Sequence, residues 1–370
     1  TVGFGGSVGL QGPAVSTGAA IGSNVASMFH MNAKTRMLLI GCATAGAMSS
    51  MFKAPVAAIV FAVEIFSLDL VFTSLVPLLL ASVAAVITSY FFRGTDVLFS
   101  FELLDAWRVK DIIFYVFLGV ATGIASVYFS KMYFLITRFF AWFSNAYVKI
   151  GIAALAIGLM LYLFPPLYGE GYGLINNLLN GETEAALNGI QYQIDFNNVW
   201  IVIAILLIIA VFKAIAMTTT FAAGGVGGIF IPTLFMGSAL GNSVAKVINQ
   251  FGFEVSESNF TLIGMTGLMA GVLHAPLTAI FLIAEITGGY DLFVPLMLVA
   301  TISFGFTKYF VPNSIYTAEL AKRGELITKD KDKNALMMLN IDRIIETDFI
   351  KISSEMTLGE LLRKGVSRSS

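Results

Sequence analysis

An apolar 14-residue stretch occurs twice in this sequence, first as Phe52-Lys-Ala-Pro-Val-Ala-Ala-Ile-Val-Phe-Ala-Val-Glu-Ile65 and again as Leu273-His-Ala-Pro-Leu-Thr-Ala-Ile-Phe-Leu-Ile-Ala-Glu-Ile286. The two copies lie 221 residues apart and are identical at six positions. Each copy has a proline near its start and a glutamate near its end. Because an acidic side chain is rare within an apolar membrane segment, its recurrence in register indicates an internal duplication.

A second pair of segments repeats in the same order. Gly9-Leu-Gln-Gly-Pro13 and Gly228-Ile-Phe-Ile-Pro232 lie 219 residues apart, and each is followed by two glycines at the same spacing. We name residues 9–13 the first Gly-Pro segment and residues 228–232 the second. Two collinear matches predict two related halves, which is typical of transporters whose site lies where inverted halves meet. So long a period excludes solenoid repeats.

The composition is that of an integral membrane protein. Of 370 residues, 57% are hydrophobic and 12% are charged, and the mean hydropathy is +0.84. The net charge of −1 argues against a nucleic-acid partner. A single cysteine, Cys42, excludes an internal disulfide, and the distant His30 and His274 do not suggest a metal site. We therefore expect no metal and no cofactor.

Five apolar segments reach or approach the length of a spanning helix: residues 71–92, 112–129, 150–163, 199–217 and 292–306. The third is short for a full span. Two further segments, residues 54–66 and 275–286, are shorter and have a proline as their second residue. Such segments are typical of helices that stop inside the membrane against protein or a water-filled cavity. The sequence thus predicts an all-α polytopic membrane protein of broken and tilted helices arranged as an inverted repeat.

The two ends of the chain differ in character from its middle. With neither an initiator methionine nor a signal peptide, Thr1 is expected to be an internal point of a longer protein, with N-terminal helices before it. We predict a transmembrane domain over residues 1–325, a charged cytosolic linker over 326–340 and a small domain over 341–370. That last part contains a β-like stretch over residues 349–352, then a capping box of Thr357 and Glu360 that opens a helix.

The Gly-Pro segments have the pattern of helix starts that bind an anion. Proline is favoured at the first helical position, so we expect Pro13 and Pro232 to open helices whose preceding N–H groups are unpaired. Neither segment contains Lys or Arg, so an anion would be bound weakly enough to leave. Alternatively, the glycines only allow close helix packing. We expect anion binding before each proline and packing after it.

Three ordered motifs resemble those of the CLC family of chloride channels and chloride/proton antiporters. The first Gly-Pro segment resembles the family's G-(K/R/L)-E-G-P motif, the second matches G-x-F-x-P, and Pro312-Asn-Ser-Ile-Tyr316 matches the segment with the pore tyrosine. The resemblance implies a CLC-like fold in a bacterial inner membrane, surrounded by lipid, and a homodimer with one pore in each subunit. The tail resembles the start of an α/β CBS domain, for which a nucleotide partner is expected only at a complete CBS pair.

The resemblance also implies an anion-binding set. The backbone N–H groups of Ile229 and Phe230, which follow Gly228, would bind a central chloride ion. The hydroxyl of Tyr316 would donate a hydrogen bond to the same ion. The family's serine ligand comes from a motif expected upstream of Thr1, so selectivity between chloride and nitrate is left open.

Two departures from the family pattern bear on proton coupling. The gate would be formed by Gly9, Gln11, Gly12 and Pro13, and Gln11, native or engineered, stands where the family has its gating glutamate. Glutamine is nearly isosteric with a protonated carboxyl but cannot titrate, so we expect an open-like neutral gate. Ile65 stands where many antiporters of the family have a proton-transfer glutamate, and isoleucine cannot relay a proton.

The repeat-related acids Glu64 and Glu285 are expected to be structural, each satisfied in a polar network or at the subunit interface. A direct role in transport is the alternative, because acids within the membrane are functional candidates by default.

Three functions remain open at this point. The first is chloride permeation that is passive or only weakly coupled to protons. The second is a chloride/proton antiporter in which Gln11 has replaced a glutamate. The third is a membrane sensor with a vestigial pore that acts through the CBS-like tail. We do not expect an enzyme, because no Ser/His/Asp or His/Glu set occupies plausible positions.

Overall fold

The computed structural model describes residues 1–66, 71–94, 99, 107–191, 194–287, 289–323, 356–360 and 362. It divides into two compact units, Thr1–Glu319 and Leu320–Ser370, which are treated separately. The first unit ends six residues before the expected boundary at residue 325.

The described residues form helices and no strand. The α-helices are α1 (Gln11–Met28), α2 (Ala33–Phe52), α3 (Pro55–Phe66), α4 (Phe72–Arg93), α5 (Ile112–Ala141), α6 (Ala146–Leu163), α7 (Tyr172–Leu179), α8 (Thr183–Ala186), α9 (Val199–Ala222), α10 (Phe230–Gln250), α11 (Glu257–Leu273), α12 (Pro276–Ile286), α13 (Phe293–Phe310) and α14 (Ala318–Arg323). Short 3₁₀ turns occur at Val2–Phe4, Val109–Asp111 and Pro165–Leu167. The all-α class predicted from the sequence is confirmed.

Within the described part of the chain, five helices are long and apolar enough to cross a membrane, namely α4, α5 with its preceding turn, α6, α9 and α13. They overlap the five predicted spans, although α5 extends to Ala141, twelve residues past the predicted end at residue 129. Helix α6 is longer than expected because it starts at Ala146, where the side chain of Asn145 accepts a hydrogen bond from the Tyr147 N–H. The two predicted short helices are also present, as α3 and α12.

The repeat is preserved in the structure as two sets of four helices, α1–α4 and α10–α13. Helices α1 and α10 start 219 residues apart, and α3 and α12 start 221 apart. Even the residue after α2 and after α11 matches, because Lys53 and His274 both have left-handed backbones, with φ of 54° and 56°. The duplication therefore extends from the motifs to the helices and the turns between them.

Helices α3 and α12 cap one another. The Glu64 carboxylate at the end of α3 accepts hydrogen bonds from the N–H groups of Leu277 and Thr278, at 3.1 and 2.8 Å. The Glu285 carboxylate at the end of α12 accepts from the N–H groups of Val56 and Ala57, at the same two distances. Equivalent residues thus exchange equivalent bonds, which requires a local two-fold relation and antiparallel copies.

These contacts agree with the structural role expected for both glutamates. Each carboxylate satisfies N–H groups that a helix start leaves unpaired, and it lies at the positive end of the helix dipole. In a bilayer these N–H groups would otherwise lack a partner.

The glycines that follow the prolines allow close helix packing, as expected. A Cβ atom on Gly18 would lie 2.8 Å from the Ala43 carbonyl oxygen of α2. A Cβ atom on Gly237 would lie 2.6 Å from the Gly264 carbonyl oxygen of α11. The same type of close contact therefore joins the first two helices of each repeat.

In the second unit, Glu360 accepts hydrogen bonds of 3.0 Å from both the N–H and the hydroxyl of Thr357. These bonds lower the pKa of Glu360 below its usual value. They supply the glutamate half of the predicted capping box. The predicted strand at residues 349–352 lies outside the described residues, and the CBS-like assignment stays a prediction.

The reciprocal caps predict a coupled loss of stability. We expect Glu64→Gln or Glu285→Gln each to lower the free energy of unfolding by about 1–3 kcal/mol, because hydrogen bonds to a charged group are replaced by weaker ones. The double variant should lose less than the sum, because both caps join the same two helices. Thermal unfolding in detergent measures this, with the exposed Glu184→Gln on α8 as control. Single variants as stable as the parent would contradict the role of the caps.

Candidate functional site

The two Gly-Pro segments meet through their backbones. Gly9 and Gly228 form an antiparallel bridge in which the Gly9 N–H donates to the Gly228 carbonyl at 3.0 Å. A Cβ atom on Gly12 would lie 2.7 Å from the Gly228 Cα. The glycines before the prolines therefore allow the two segments to lie in close contact, in addition to any role in binding an ion.

The prolines do not open their helices as expected. Pro13 and Pro232 are each the third helical residue, because α1 begins at Gln11 and α10 at Phe230. Proline fits here for the reason that favours it at the first position, since no N–H group in the first turn has an intrahelical acceptor. The first complete helical bond of α10 runs from Thr233 to the Ile229 carbonyl.

The start of α10 presents unpaired N–H groups in a buried place. The N–H groups of Ile229 and Phe230 donate to no acceptor among the described residues. Phe230 is buried, and its ring packs against Phe52 and Phe61 with centroid distances of 6.4 and 5.3 Å. These ring contacts fix the position of the helix start.

A cavity of about 590 Å³ lies against both helix starts. Of the predicted site residues it is lined by Gly12, Pro13, Gly228, Ile229, Phe230, Tyr316 and Ile65. None of the residues that line it is charged. The structure thus brings the predicted anion-binding residues, Gly12 and Pro13 of the predicted gate and the lost relay position around one neutral space, which Gly9 and Gln11 do not line.

Two phenols border this cavity. Tyr316 reaches it from the segment after α13, and Tyr133 reaches it from α5. Of the two, only Tyr316 was predicted from the sequence. Tyr133 lies within a spanning helix, where the sequence does not distinguish it from a lipid-facing or core tyrosine.

Gln11 lies beside the cavity, buried to 4% exposure. Its side-chain Nε2 donates to Glu170 Oε1 at 3.2 Å and to the Tyr172 hydroxyl at 2.8 Å. Its buried Oε1 has no hydrogen-bond partner within the described part of the chain. Glu170 and Tyr172 were not identified from the sequence, although Gly169-Glu-Gly171 has the pattern of a tight turn.

A buried lysine stabilises the loop that carries Glu170. The Lys213 ammonium group on α9 is 0% exposed and donates to the Ser7 hydroxyl and the Gly169 carbonyl, both at 2.9 Å. It also lies 4.6 Å from the centre of the Phe235 ring of α10. Lys213 therefore joins the chain before the first Gly-Pro segment, the Glu170 loop and α10.

Comparisons with known proteins agree with this architecture. The family profile of the voltage-gated chloride channel matches residues 1–308. A ClcB-like chloride channel protein of Ralstonia nicotianae is 28% identical over 335 residues, with 87% of this chain and 72% of that protein covered. The H⁺/Cl⁻ exchange transporter ClcA of Vibrio cholerae is 27% identical over 320 residues, with 84% of this chain and 64% of that protein covered.

The fold has a solved counterpart as well. The crystal structure of a slow cyanobacterial Cl⁻/H⁺ antiporter superposes with a TM-score of 0.73 at 21% identity, covering 87% of this chain and 73% of that one. The bacterial relatives agree with the expected bacterial membrane. With a family profile that spans most of its length, the chain belongs to the voltage-gated chloride channel family, the CLC family.

Proposed function

We propose that this chain conducts chloride across the membrane through the cavity between the starts of α1 and α10, with weak or no coupling to protons. The single observation that carries this proposal is the neutral cavity against which the unpaired N–H groups of Ile229 and Phe230 lie. As in the family generally, we propose that two such chains assemble, each with its own pathway.

The electrostatics of this site suit conduction. A helix start offers N–H donors and a partial positive charge, which favour an anion without fixing it in place. A lysine or arginine in the cavity would bind the anion far more strongly, because opposite full charges attract strongly at low dielectric. Chloride can then enter and leave on the timescale that conduction needs.

The absence of titratable groups at two positions supports weak coupling. Gln11, which precedes the cavity-lining Gly12, cannot exchange a proton. Ile65, which lines the cavity, cannot relay one at the other position used by the family. The matched relatives include both a chloride channel protein and an H⁺/Cl⁻ exchange transporter, so an antiporter is the second candidate.

A thiol introduced into the cavity should make chloride flux sensitive to a thiol reagent. Ser16 of α1 lines the cavity, and the chain's own Cys42 is buried. We expect an anionic methanethiosulfonate to reduce chloride efflux from vesicles that contain Ser16→Cys severalfold. Asn24→Cys, on an exposed part of α1 that does not line the cavity, should be unaffected. Equal inhibition of both variants, or of neither, would contradict the assigned pathway.

Removing the Tyr316 hydroxyl should weaken chloride binding. Loss of one hydrogen bond of about 0.5–1.5 kcal/mol corresponds to an affinity about two- to tenfold lower in Tyr316→Phe. Titration calorimetry with chloride measures the change. Tyr290→Phe, which removes an exposed phenol that does not line the cavity, is the control. An unchanged chloride affinity in Tyr316→Phe would show that this hydroxyl does not bind the anion.

Gln11→Glu separates the two candidate functions. We expect a chloride gradient to move no protons in vesicles with the Gln11 protein. In Gln11→Glu, a charged carboxylate at the start of α1 should compete with chloride and lower its efflux at neutral pH. A pH-sensitive dye reports proton movement and a chloride electrode reports efflux. Proton uptake driven by chloride in the Gln11 protein would overturn the uncoupled function.

A further inference from the structure

Glu170 is presented to the start of α1 by a tight turn. The residues on either side of it, Gly169 and Gly171, have left-handed backbones with φ of 60° and 87°. A Cβ atom on Gly171 would collide with the Phe235 ring. The turn therefore needs glycine at both positions, and it leaves Glu170 half-buried with access to solvent.

The Glu170 carboxylate binds the start of α1 directly. Its Oε1 accepts hydrogen bonds from the Leu10 N–H at 2.9 Å and from the Gln11 side-chain amide at 3.2 Å. Leu10 precedes α1 as Ile229 precedes α10, and the two residues are 219 apart, the spacing of the Gly-Pro segments. The Ile229 N–H of the second copy is thus unpaired, whereas the equivalent Leu10 N–H of the first copy donates to the Glu170 carboxylate.

Within the described residues, charged and titratable groups contact Glu170 from two elements. Lys213 of α9 and Tyr172 of α7 interact with it electrostatically. The α1 side contributes the neutral amide of Gln11, and the α10 side contributes the Phe235 ring. Among these groups Glu170 is the acid that both reaches solvent and contacts the helix start.

We propose that Glu170 is the titratable group of the outer gate in this chain, an inference that rests on the anion pathway proposed above. When charged, its carboxylate occupies the start of α1 and fixes the Gln11 side chain. When protonated, it releases both and leaves the Leu10 N–H to a permeating anion. Glu170, on a neighbouring loop, thus provides the acidic side chain that the gate lacks at Gln11.

The direction of the pH effect follows from these contacts. Hydrogen bonds to a carboxylate are roughly twice as strong as those to a neutral group, and the positive end of a helix favours negative charge. Protonation removes both contributions, and it also removes a negative charge that repels chloride. Gln11, whose buried Oε1 has no partner, can then change its orientation. Chloride flux should therefore increase as the pH falls.

The test compares pH profiles of chloride efflux from vesicles that contain the full chain. We expect parental flux to increase severalfold between pH 7.5 and pH 3.5, a range that extends below the ordinary pKa of a glutamate. Glu170→Gln keeps an acceptor of similar size but cannot titrate, so its flux should be high and independent of pH. Glu184→Gln, which removes an exposed acid on α8, should keep the parental profile.

A shorter acid gives a second measurement that does not depend on Glu170→Gln folding. Glu170→Asp retains the charge but is one methylene too short to keep both bonds. Its flux at pH 7.5 should exceed the parental flux, with a smaller increase toward pH 3.5. A purely structural role would instead lower stability without changing the pH profile.

The two proposals fail in different ways. Parental vesicles without chloride flux at any pH would overturn the anion pathway, and this role of Glu170 with it. Parental flux that is independent of pH, or a pH profile that survives unchanged in Glu170→Gln and Glu170→Asp, would overturn the role of Glu170 alone.

Discussion

The backbone contact between Gly9 and Gly228 is the constraint on which the rest of this structure depends. Two helix starts can approach within hydrogen-bonding distance only if no side chain separates them, and glycine meets this condition at positions 9, 12 and 228. With the starts of α1 and α10 this close, their dipoles act on the same cavity. The packing of each helix against its neighbour then follows from the glycines of the next turns.

The two copies have diverged in their chemistry while keeping their geometry. The start of α10 has unpaired N–H groups at Ile229 and Phe230, whereas the start of α1 is occupied by Glu170 and flanked by the buried Lys213 network. A duplicated scaffold can therefore carry two helix starts of different chemistry. The asymmetry comes from the loop before α7, which lies outside the repeated helices.

Much of the fold could be predicted because its signals are local. Apolar length gave the five spans, and the two proline-bounded segments gave α3 and α12. The repeat and the motifs gave seven of the residues that line the cavity. The contacts of Gln11 with Glu170 and of Lys213 with Ser7 could not be predicted, since 159 and 206 residues separate the partners. The prediction that each proline is the first helical residue was also wrong. Proline is tolerated later in the first turn because N–H groups throughout that turn lack acceptors.

The reciprocal caps of α3 and α12 have a consequence for biogenesis. The N–H groups at the start of α3 are satisfied by Glu285, which is synthesised 229 residues after Val56. At about 5–20 residues per second, this interval corresponds to roughly 10–45 s of translation. During that time the Glu285 cap is absent, so the N–H groups in the first turn of α3 need water or other protein as a partner. We therefore expect the start of α3 to stay in contact with water or with the insertion machinery until the second half of the protein has been made.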